Sequence, residues 1–470
     1  MLVMNNTFNS AYMEYEDKEN IFYPRNEGVS TVLDLADSSD TKKSTLNECQ
    51  KKALKTMLHE KNVFLTGAAG TGKSYLLNEF INIIGRNNCV ILGTTGISAI
   101  KMGGSTIHRF FDIPCGVLNR SIQIYEDKDA SIGVFMRNAN ALGFVKALII
   151  DEISMCRCDV FNYIASIVNY VRKNLNPDLK LILCGDFYQL PPVVGNREKA
   201  VFSKLYSNNT EGWAFKSEKW KNLGIKNIYL TEVIRQKDRD FVRALTSIRN
   251  GDTTGISYIN SFRPKGAYKN QIILCGKNET AEDINAKFLS AIPGEEFSYN
   301  VSIEGDVKKS ELTCPEHLTL KVGARVLFIA NDPSKNYFNG DTGTIQAINQ
   351  GNIFVINDRS GKTVIVNSYT WDVYDYKQAD NEKKLKQILV GRFNQIPLRL
   401  GWAITVHKSQ GQTYDNVWIE HSDFWSFGQL YVALSRCTSL EKTYMPYDIS
   451  YRSFKSSYDV QLFYEEYEFF

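Results

Sequence analysis

The sequence predicts an α/β protein made of two parallel-sheet units, with a small β-barrel inserted into the second unit. Short apolar runs alternate with helical patterns along residues 45–225, and this alternation is typical of parallel strands joined by crossover helices. The same alternation returns in residues 226–317 and 396–470. Between these two stretches, residues 318–395 change to short, closely spaced β-rich segments separated by turns, which favours a small barrel.

The bulk composition limits the class of protein. A chain of 470 residues is too long for a single core, so several domains are expected. The net charge is only +3, so any nucleic-acid surface must be a local groove. The nine cysteines are odd in number and scattered, which argues against a disulfide framework or a zinc site and indicates reduced thiols.

The N-terminal segment, residues 1–44, is polar and is expected to form a weakly ordered tail. It lacks the basic and apolar regions of a secretory signal, and its acidic start disfavours a mitochondrial presequence. No apolar run reaches the roughly 18 residues that a membrane span needs. These features predict a cytoplasmic protein that does not interact with membranes.

A phosphate-binding loop is the clearest motif in the chain. A short apolar strand precedes it, and apolar residues at helical spacing follow it. In that context the glycines let backbone amides face phosphate oxygens at the positive end of a helix. Lys73 would neutralise the β- and γ-phosphates, and the Ser74 hydroxyl would bind Mg²⁺. The predicted ATP-binding residues are Gly67, Ala68, Ala69, Gly70, Thr71, Gly72, Lys73 and Ser74.

Two carboxylates, Asp151 and Glu152, follow the apolar run at residues 147–150. On a parallel sheet they would lie at the same edge as the phosphate loop. Asp151 is predicted to hold Mg²⁺, directly or through water, and Glu152 to orient and deprotonate the attacking water. Two arginines, Arg235 and Arg436, could supply the positive charge that phosphoryl transfer needs on the developing γ-phosphate.

A polar segment, WAITVHKSQG at residues 402–411, combines groups that suit contacts to nucleic-acid phosphates and sugars. The aromatic residues Phe110, Phe111 and Tyr188 are candidates for stacking on bases, although such a residue taken alone is more often part of the core or of the ordinary surface. At the start of the first helix, Thr45 is the predicted N-cap, with Glu48 completing a capping box.

Taken in order, these motifs resemble a superfamily 1 DNA helicase of the PIF (petite integration frequency) family, in its RecD-like group. The similarity runs from residue 45 to about residue 439, and Cys49 is one departure, because the family more often has a polar or acidic residue there. EISMCRCDVFNYIASIVNYVRK resembles the family's signature helix. The other motifs are LNECQ, GAAGTGKS, GTTGISAIKMGGSTIHRF, IIDEISM, LILCGDFYQLPPV, LTEVIRQKDRDF, ITVHKSQGQT and YVALSRCTS.

The resemblance implies two RecA-like P-loop lobes with ATP between them. It implies a wedge-type insertion at residues 112–140 of the first lobe and a Src-homology-3-like barrel within residues 318–395. The expected activity is ATP-driven 5′ to 3′ translocation on single-stranded DNA, with unwinding of duplex. The expected partners are single-stranded and forked DNA and replication proteins. The enzyme is expected to be monomeric and of bacterial, phage or viral origin, or nuclear if the source is eukaryotic.

The resemblance also assigns roles to single residues. It implies that Gln50 reads adenine, that Gln189 senses the γ-phosphate, and that Arg235 and Arg436 are finger arginines. Gly411 is expected near the nucleotide. The expected DNA contacts are Thr95, Gly96, Ser105, Thr106 and His108 in the first lobe, and Thr405, His407, Lys408 and Ser409 in the second.

Two alternatives stay open on the sequence alone. A translocase that moves on single-stranded DNA, or strips proteins from it with little unwinding, would follow if residues 112–140 did not form a working wedge. A nucleotide-gated binding module that hydrolyses slowly is a different class. Glu152, Arg235 and Arg436 argue against the binding module, because they are the residues that hydrolysis requires.

Overall fold

The fold is that of a computed structural model. The predicted N-terminal tail lies outside the described residues, and so does the centre of the predicted wedge, residues 119–127. The residues described are 46–114, 116–118, 128–195, 198–206, 209–269, 271–349, 352–378, 385–451, 454–467 and 469.

The first lobe is a parallel β-sheet covered by helices on both faces. Its elements in chain order are α1 (Glu48–His59), β1 (Asn62–Gly67), α2 (Lys73–Ile84), β2 (Cys89–Gly93), α3 (Gly96–Lys101), β3 (Ser105–Thr106), α4 (Ile107–Phe110), α5 (Lys128–Gly143), β4 (Ala147–Asp151), α6 (Cys158–Asn174), β5 (Lys180–Cys184), α7 (Lys199–Leu205), α8 (Glu218–Asn222) and β6 (Lys226–Leu230). The strands pair in parallel in the order β3-β2-β4-β5-β1-β6.

Side chains of the central strands alternate between two apolar cores, one on each face of this sheet. On β1, Phe64 belongs to one core, whereas Val63 and Leu65 belong to the other. This alternation follows from the period of two in a β-strand. Because both faces are buried, the strands consist almost entirely of apolar residues.

The remaining elements form the second lobe, the inserted strands and a C-terminal helix. They are α9 (Arg239–Arg249), α10 (Thr254–Phe262), β7 (Ile272–Cys275), α11 (Asn278–Ser290), β8 (Phe297–Asn300), β9 (Ser302–Gly305), β10 (His317–Leu320), β11 (Arg325–Phe328), β12 (Thr342–Asn349), β13 (Asn352–Asn357), β14 (Thr363–Val366), β15 (Tyr369–Gln378), β16 (Leu385–Gln395), β17 (Leu398–Leu400), β18 (Ala403–Thr405), β19 (Val417–Glu420), α12 (Gln429–Ser435), β20 (Thr443–Tyr444) and α13 (Tyr458–Glu466).

The second lobe is also built on a parallel sheet, in the order β18-β7-β19-β20. Helices α9 and α12 pack on it in one core, which also includes Ala69 and Leu190 from the first lobe. The two lobes therefore contact each other directly beside the phosphate loop. The predicted α/β class with two parallel sheets is confirmed.

The inserted β-rich segments form antiparallel sheets. Strands β11 to β14 pair in sequence, and β17 completes a five-stranded sheet by pairing with β11. The segment WDVYDY, expected within the barrel, instead lies in β15, which forms a long hairpin with β16 and a three-stranded sheet with β9. This hairpin reaches the first lobe, where the Tyr376 hydroxyl accepts a hydrogen bond from the Ile91 amide at 3.1 Å.

The pairing differs from the predicted lobe boundaries in two places. Strand β6 follows the predicted boundary at residue 225, yet it pairs with β1 in the first sheet. Helix α13 lies at the end of the predicted second lobe, yet Val460 and Phe463 pack into the first-lobe core. Both differences have one cause. The apolar pattern of a short strand or helix does not show which lobe's sheet or core it packs in. None of the helices within the described ranges combines the length and hydropathy that a membrane crossing requires.

Candidate nucleotide and nucleic-acid sites

The phosphate loop connects β1 to α2 and has the backbone that such a loop requires. Gly70 and Gly72 both have φ of +84°, a conformation that glycine adopts without strain. A Cβ at Gly72 would lie 2.6 Å from Gln50 Nε2, and a Cβ at Gly70 would lie 2.6 Å from Arg235 Cβ. Helix α2 has no side-chain cap at its N-terminus, so its first amides can bind an anion.

Lys73 is the first residue of α2, and its ammonium group lies across the loop. Its Nζ donates hydrogen bonds to the carbonyl oxygens of Gly67 at 2.7 Å and Ala68 at 3.0 Å. Burial lowers the pKa of Lys73, whereas the negative charges of Asp186 and Glu152 act to raise it. The Lys73 ammonium therefore lies within electrostatic range of Glu152, the predicted base, and of Asp186.

Gln50 is buried beside the phosphate loop, with only 2% of its surface exposed. The predicted cap was wrong: α1 begins at Glu48 and is capped by Asn47, with Gln50 completing the capping box. Thr45 itself lies outside the described residues. The Nε2 of Gln50 donates to the Thr71 carbonyl at 3.2 Å, so this amide is fixed against the loop. Its contact with adenine stays a prediction.

Asp151 ends β4 at the same sheet edge as the phosphate loop, and Glu152 follows it. Glu152 has φ of +55°, an unusual backbone for a non-glycine residue that is often retained at functional sites. Burial raises the pKa of Asp151, and burial followed by the charge of Asp151 raises the pKa of Glu152. A raised pKa makes the Glu152 carboxylate a stronger proton acceptor, as a general base requires.

The predicted Mg²⁺ ligands fit the way this ion binds in proteins. Ser74 lies in the first turn of α2, and Asp151 is a buried carboxylate at the neighbouring strand end. Within the described ranges no group of three His, Cys, Asp or Glu side chains forms a metal cage. Mg²⁺ is usually held by one or two protein oxygens together with substrate phosphates and water, so one hydroxyl and one carboxylate suffice.

Gln410, to which the sequence patterns assigned no separate role, connects the two lobes at Glu152, the predicted base. Its Nε2 donates to Glu152 Oε2 at 3.1 Å and lies 3.4 Å from Gln189 Oε1. Gln410 lies between Ser409 and Gly411 in the segment ITVHKSQGQT, and this position was the one feature of the sequence that could have indicated a role for it. Gly411 also lies at the lobe contact, since a Cβ there would be 3.3 Å from Lys101 Nζ of the first lobe.

Arg235 and Arg436 come together at the second-lobe side of the cleft. Nη1 of Arg235 donates to the Ser435 carbonyl at 2.9 Å, and Arg436 is 98% buried at the end of α12. Burial, followed by the charge of Arg436, lowers the pKa of Arg235 to about 9. Among the described residues neither guanidinium forms an ion pair with a carboxylate within 4.0 Å. Two buried like charges of this kind favour binding of an anion.

Helix α12 also contacts the phosphate loop directly. The Ala69 amide donates a hydrogen bond of 2.8 Å to the Tyr431 hydroxyl, which is buried. Tyr431 lies on α12 and Arg436 is the residue that caps its C-terminus, so this bond helps to position the arginine relative to the loop. No local pattern distinguishes Tyr431, because its partner lies 362 residues away.

The predicted DNA contacts of the first lobe follow β2 and surround β3. His108 is exposed, and Thr95 caps α3 with its hydroxyl. Thr106 caps α4 in the same way. Ser105 is buried, and its hydroxyl has no hydrogen-bond partner among the described residues. Gly96 lies against the 310–311 segment, where a Cβ would be 3.2 Å from the Ser310 carbonyl oxygen.

The predicted DNA contacts of the second lobe follow β18. Lys408 is exposed and His407 is half-buried, with its ring stacked near Trp425 at 6.3 Å between centroids. Thr405 and Ser409 are buried instead, and the Ser409 hydroxyl donates to the Val406 carbonyl at 2.8 Å. Their contact with DNA stays a prediction.

Two of the three candidate stacking residues of the first lobe belong to the core, which was the favoured interpretation of each residue taken alone. Phe110 and Phe111 are buried in the first-lobe core, where their rings pack edge to face at 4.8 Å. Tyr188 is half-buried and stacks on Tyr464 of α13 at 4.7 Å. An aromatic side chain next to a binding motif can be either buried in the core or exposed to a ligand, and the sequence alone does not distinguish these two environments.

Comparison with known proteins agrees with this geometry. The family profile described as PIF1-like helicase matches residues 45–257. The chain is 30% identical over 408 residues to the ATP-dependent DNA helicase Pif1 of Campylobacter jejuni, covering 82% of this chain and 89% of that one. It is 33% identical to the ATP-dependent DNA helicase PIF1 of Xenopus laevis over 88% of this chain, but it spans only 64% of that relative.

Solved structures give the same likeness in three dimensions. Pif1 of a Bacteroides species in complex with ADP-AlF4 superposes with a TM-score of 0.78 at 32% identity, over 90% of this chain and 97% of that one. Bacteroides Pif1 bound to single-stranded DNA gives a TM-score of 0.63 at 32% identity, over the same shares of the two chains. The two parallel-sheet lobes are therefore RecA-like.

Proposed function

The chain belongs to the PIF1-like helicase family and is an ATP-dependent DNA helicase, and we propose that it moves 5′ to 3′ along single-stranded DNA and separates duplex. The observation that most supports this is the set of contacts between the lobes at the phosphate loop. Gln410 contacts the predicted base, Arg235 lies beside Gly70, and Tyr431 contacts Ala69. ATP bound there touches both lobes, so its hydrolysis can move one against the other.

ATP is held from the first lobe by the loop amides and Lys73, and from the second by Arg235 and Arg436. Glu152 orients the attacking water and accepts its proton, while Gln410 and Gln189 hold the carboxylate and the water in line. The two arginines stabilise the charge that develops on the γ-phosphate oxygens, a contribution of about 10³ to 10⁵ in rate for a finger arginine. Ser74 and Asp151 would hold Mg²⁺, which neutralises phosphate charge when bound.

Hydrolysis and phosphate release remove the anion that the two lobes share. The buried charges of Arg235 and Arg436 then lose their counter-charge, and the cleft opens. If the first-lobe surface around Thr106 and His108 and the second-lobe surface around Lys408 grip DNA alternately, each cycle advances the strand. Opening one duplex step requires about 1.4 kcal/mol, which is modest work for one cycle.

DNA-stimulated ATPase and streptavidin displacement test this proposal. We expect single-stranded DNA to stimulate ATP turnover, and we expect displacement of streptavidin from a 3′-biotinylated strand but not from a 5′-biotinylated one. Displacement of streptavidin from the 5′ end alone would show that the protein moves 3′ to 5′ instead. Displacement without duplex unwinding would favour the translocase, and no stimulation by DNA would rule out both functions.

A further inference from the structure

A buried ion pair joins the two lobes away from the arginines of the nucleotide site. Asp186 follows β5 in the first lobe, and Arg249 is the last residue of α9 in the second. The guanidinium donates twice to the carboxylate, from Nη2 to Oδ1 at 2.9 Å and from Nε to Oδ2 at 3.2 Å. Both side chains are at most 3% exposed. Two-point pairing of this kind fixes orientation as well as distance.

Three tyrosines enclose the Arg249 guanidinium. Its Cζ lies 4.3 Å from the ring centre of Tyr188, 5.1 Å from that of Tyr464 and 5.4 Å from that of Tyr229. Nη1 also donates to the Tyr229 hydroxyl at 3.0 Å. A cation held among aromatic faces and excluded from water has little freedom to move.

The aromatic residues come from the places where the chain passes between lobes. Tyr229 lies near the end of β6, the last first-lobe strand before the chain enters α9. Tyr464 lies on α13, which returns the chain to the first-lobe core. Arg249 ends α9 and lies beside both crossings, and hinges between lobes are commonly formed by such element-terminal residues.

The same ion pair holds the loop that carries Gln189. Asp186 accepts from the Tyr188 amide at 3.2 Å and lies 3.5 Å from Gln189 Nε2. The Tyr464 hydroxyl accepts from the Phe187 amide at 3.3 Å. Phe187, Tyr188 and Gln189 are thus each tied to the Arg249 cluster, which consists of Arg249, Asp186, Tyr188, Tyr229 and Tyr464. Gln189 in turn contacts Gln410 beside Glu152, the predicted base.

The Arg249 cluster also reaches the phosphate loop. The Tyr464 hydroxyl lies 2.8 Å from the Thr66 hydroxyl, one residue before Gly67. It also lies 3.3 Å from Asp186 Oδ1. One hydroxyl therefore connects the start of the phosphate loop to the ion pair.

We propose that Arg249 is a positioning residue, whose ion pair with Asp186 forms the pivot of cleft closure and holds Gln189 in line with the γ-phosphate. This inference rests on the proposed ATPase cycle and goes beyond it by assigning a residue outside the nucleotide site. Without the guanidinium, the buried Asp186 carboxylate loses its partner and the loop to Gln189 relaxes. The phosphate loop and Lys73 remain, so ATP still binds.

The test compares Arg249→Met and Arg249→Lys with Arg243→Met, a control on the same helix whose side chain is 79% exposed. We expect Arg249→Met to lower kcat about 10- to 100-fold, as small displacements of aligning groups do, with KM for ATP changed by less than about threefold. Arg249→Lys should recover part of kcat, because it keeps the charge and loses the two-point geometry. Arg243→Met should match the wild type.

A merely structural role predicts a different pattern and would overturn the proposal. In that case Arg249→Met and Arg249→Lys would lower Tm, but kcat per molecule that binds a fluorescent ATP analogue would equal the wild-type value. If Arg249→Met does not fold, Arg249→Lys alone decides between the same outcomes. ATP turnover of each variant is also measured without DNA. If DNA does not stimulate turnover of the wild type, the proposed function is refuted, whereas the role of Arg249 is still decided by the DNA-free rates.

A double substitution tests whether Arg249 acts through Asp186. If it does, Asp186→Asn combined with Arg249→Met should lower kcat no more than the stronger single change, because both break the same contact. Losses that multiply would show that the two side chains act separately, and the pivot would be rejected.

Discussion

Arg436→Ala is the substitution that most sharply separates catalysis from DNA binding. The side chain is 2% exposed and donates to the carbonyls of Val432 at 3.0 Å and Gln412 at 3.3 Å, and to the Ser435 hydroxyl at 2.9 Å. Its charge also acts to lower the pKa of Glu152. Its charge therefore acts on the predicted base, and its buried side chain has almost no surface with which to contact DNA.

The expected magnitude follows from these contacts. A finger arginine is worth about 10³ to 10⁵ in rate, or about 4–7 kcal/mol at 1.36 kcal/mol per tenfold. Because Arg235 remains, we expect kcat to fall by about 10³, the lower end of that range. Three lost hydrogen bonds at about 0.5–1.5 kcal/mol each also predict a fall in the free energy of unfolding.

The assay measures ATP turnover at saturating single-stranded DNA, DNA affinity by fluorescence anisotropy, and Tm. Arg263→Ala is the matched control: Arg263 is buried in the same lobe, pairs with Asp448 at 2.7 Å, and contacts none of the predicted nucleotide residues. It should lower Tm and leave turnover intact. If Arg436→Ala weakened DNA binding while turnover persisted, Arg436 would belong to the DNA groove and the reasoning would be refuted.

Two further predictions concern the cleft and the lobe contact. Glu152→Gln should keep ATP binding and lower hydrolysis by about 10² to 10⁴, as loss of a general base does, so unchanged turnover would identify another base. Arg109 pairs with Glu311 at 2.5 Å, with 2% and 5% of the two side chains exposed. Arg109→Met should therefore lower the free energy of unfolding by about 3–5 kcal/mol in denaturant titration. Arg137→Met is its control, because Arg137 pairs with Asp112 at the surface and its side chain is 59% exposed, so the pair should contribute only about 0–1 kcal/mol. Equal losses of unfolding free energy in the two variants would contradict this argument.

Local sequence was sufficient for the phosphate loop and the strands that carry the site. Apolar strands, glycines at positive φ and a helix with its N-terminus at the loop all lie within 25 residues of sequence, so residues 62–84 could be read directly. Asp151 and Glu152 were placed by the same logic. Their position at one sheet edge follows from parallel pairing.

The contacts between lobes could not be predicted from local patterns. Gln410 meets Glu152 across 258 residues, and Arg249 meets Asp186 across 63. Neighbouring residues of one motif also have opposite environments, since Lys408 is exposed and Ser409 is buried. A motif shows which residues occur together, whereas packing decides which of them face the ligand.

Strand separation on two matched duplexes tests the central claim most directly. One duplex carries a 5′ single-stranded tail and the other a 3′ tail of the same sequence, and both are measured with ATP and with a non-hydrolysable analogue. The account predicts unwinding of the 5′-tailed duplex alone, and only with ATP. Unwinding of the 3′-tailed duplex alone, or unwinding that does not need hydrolysis, would contradict it.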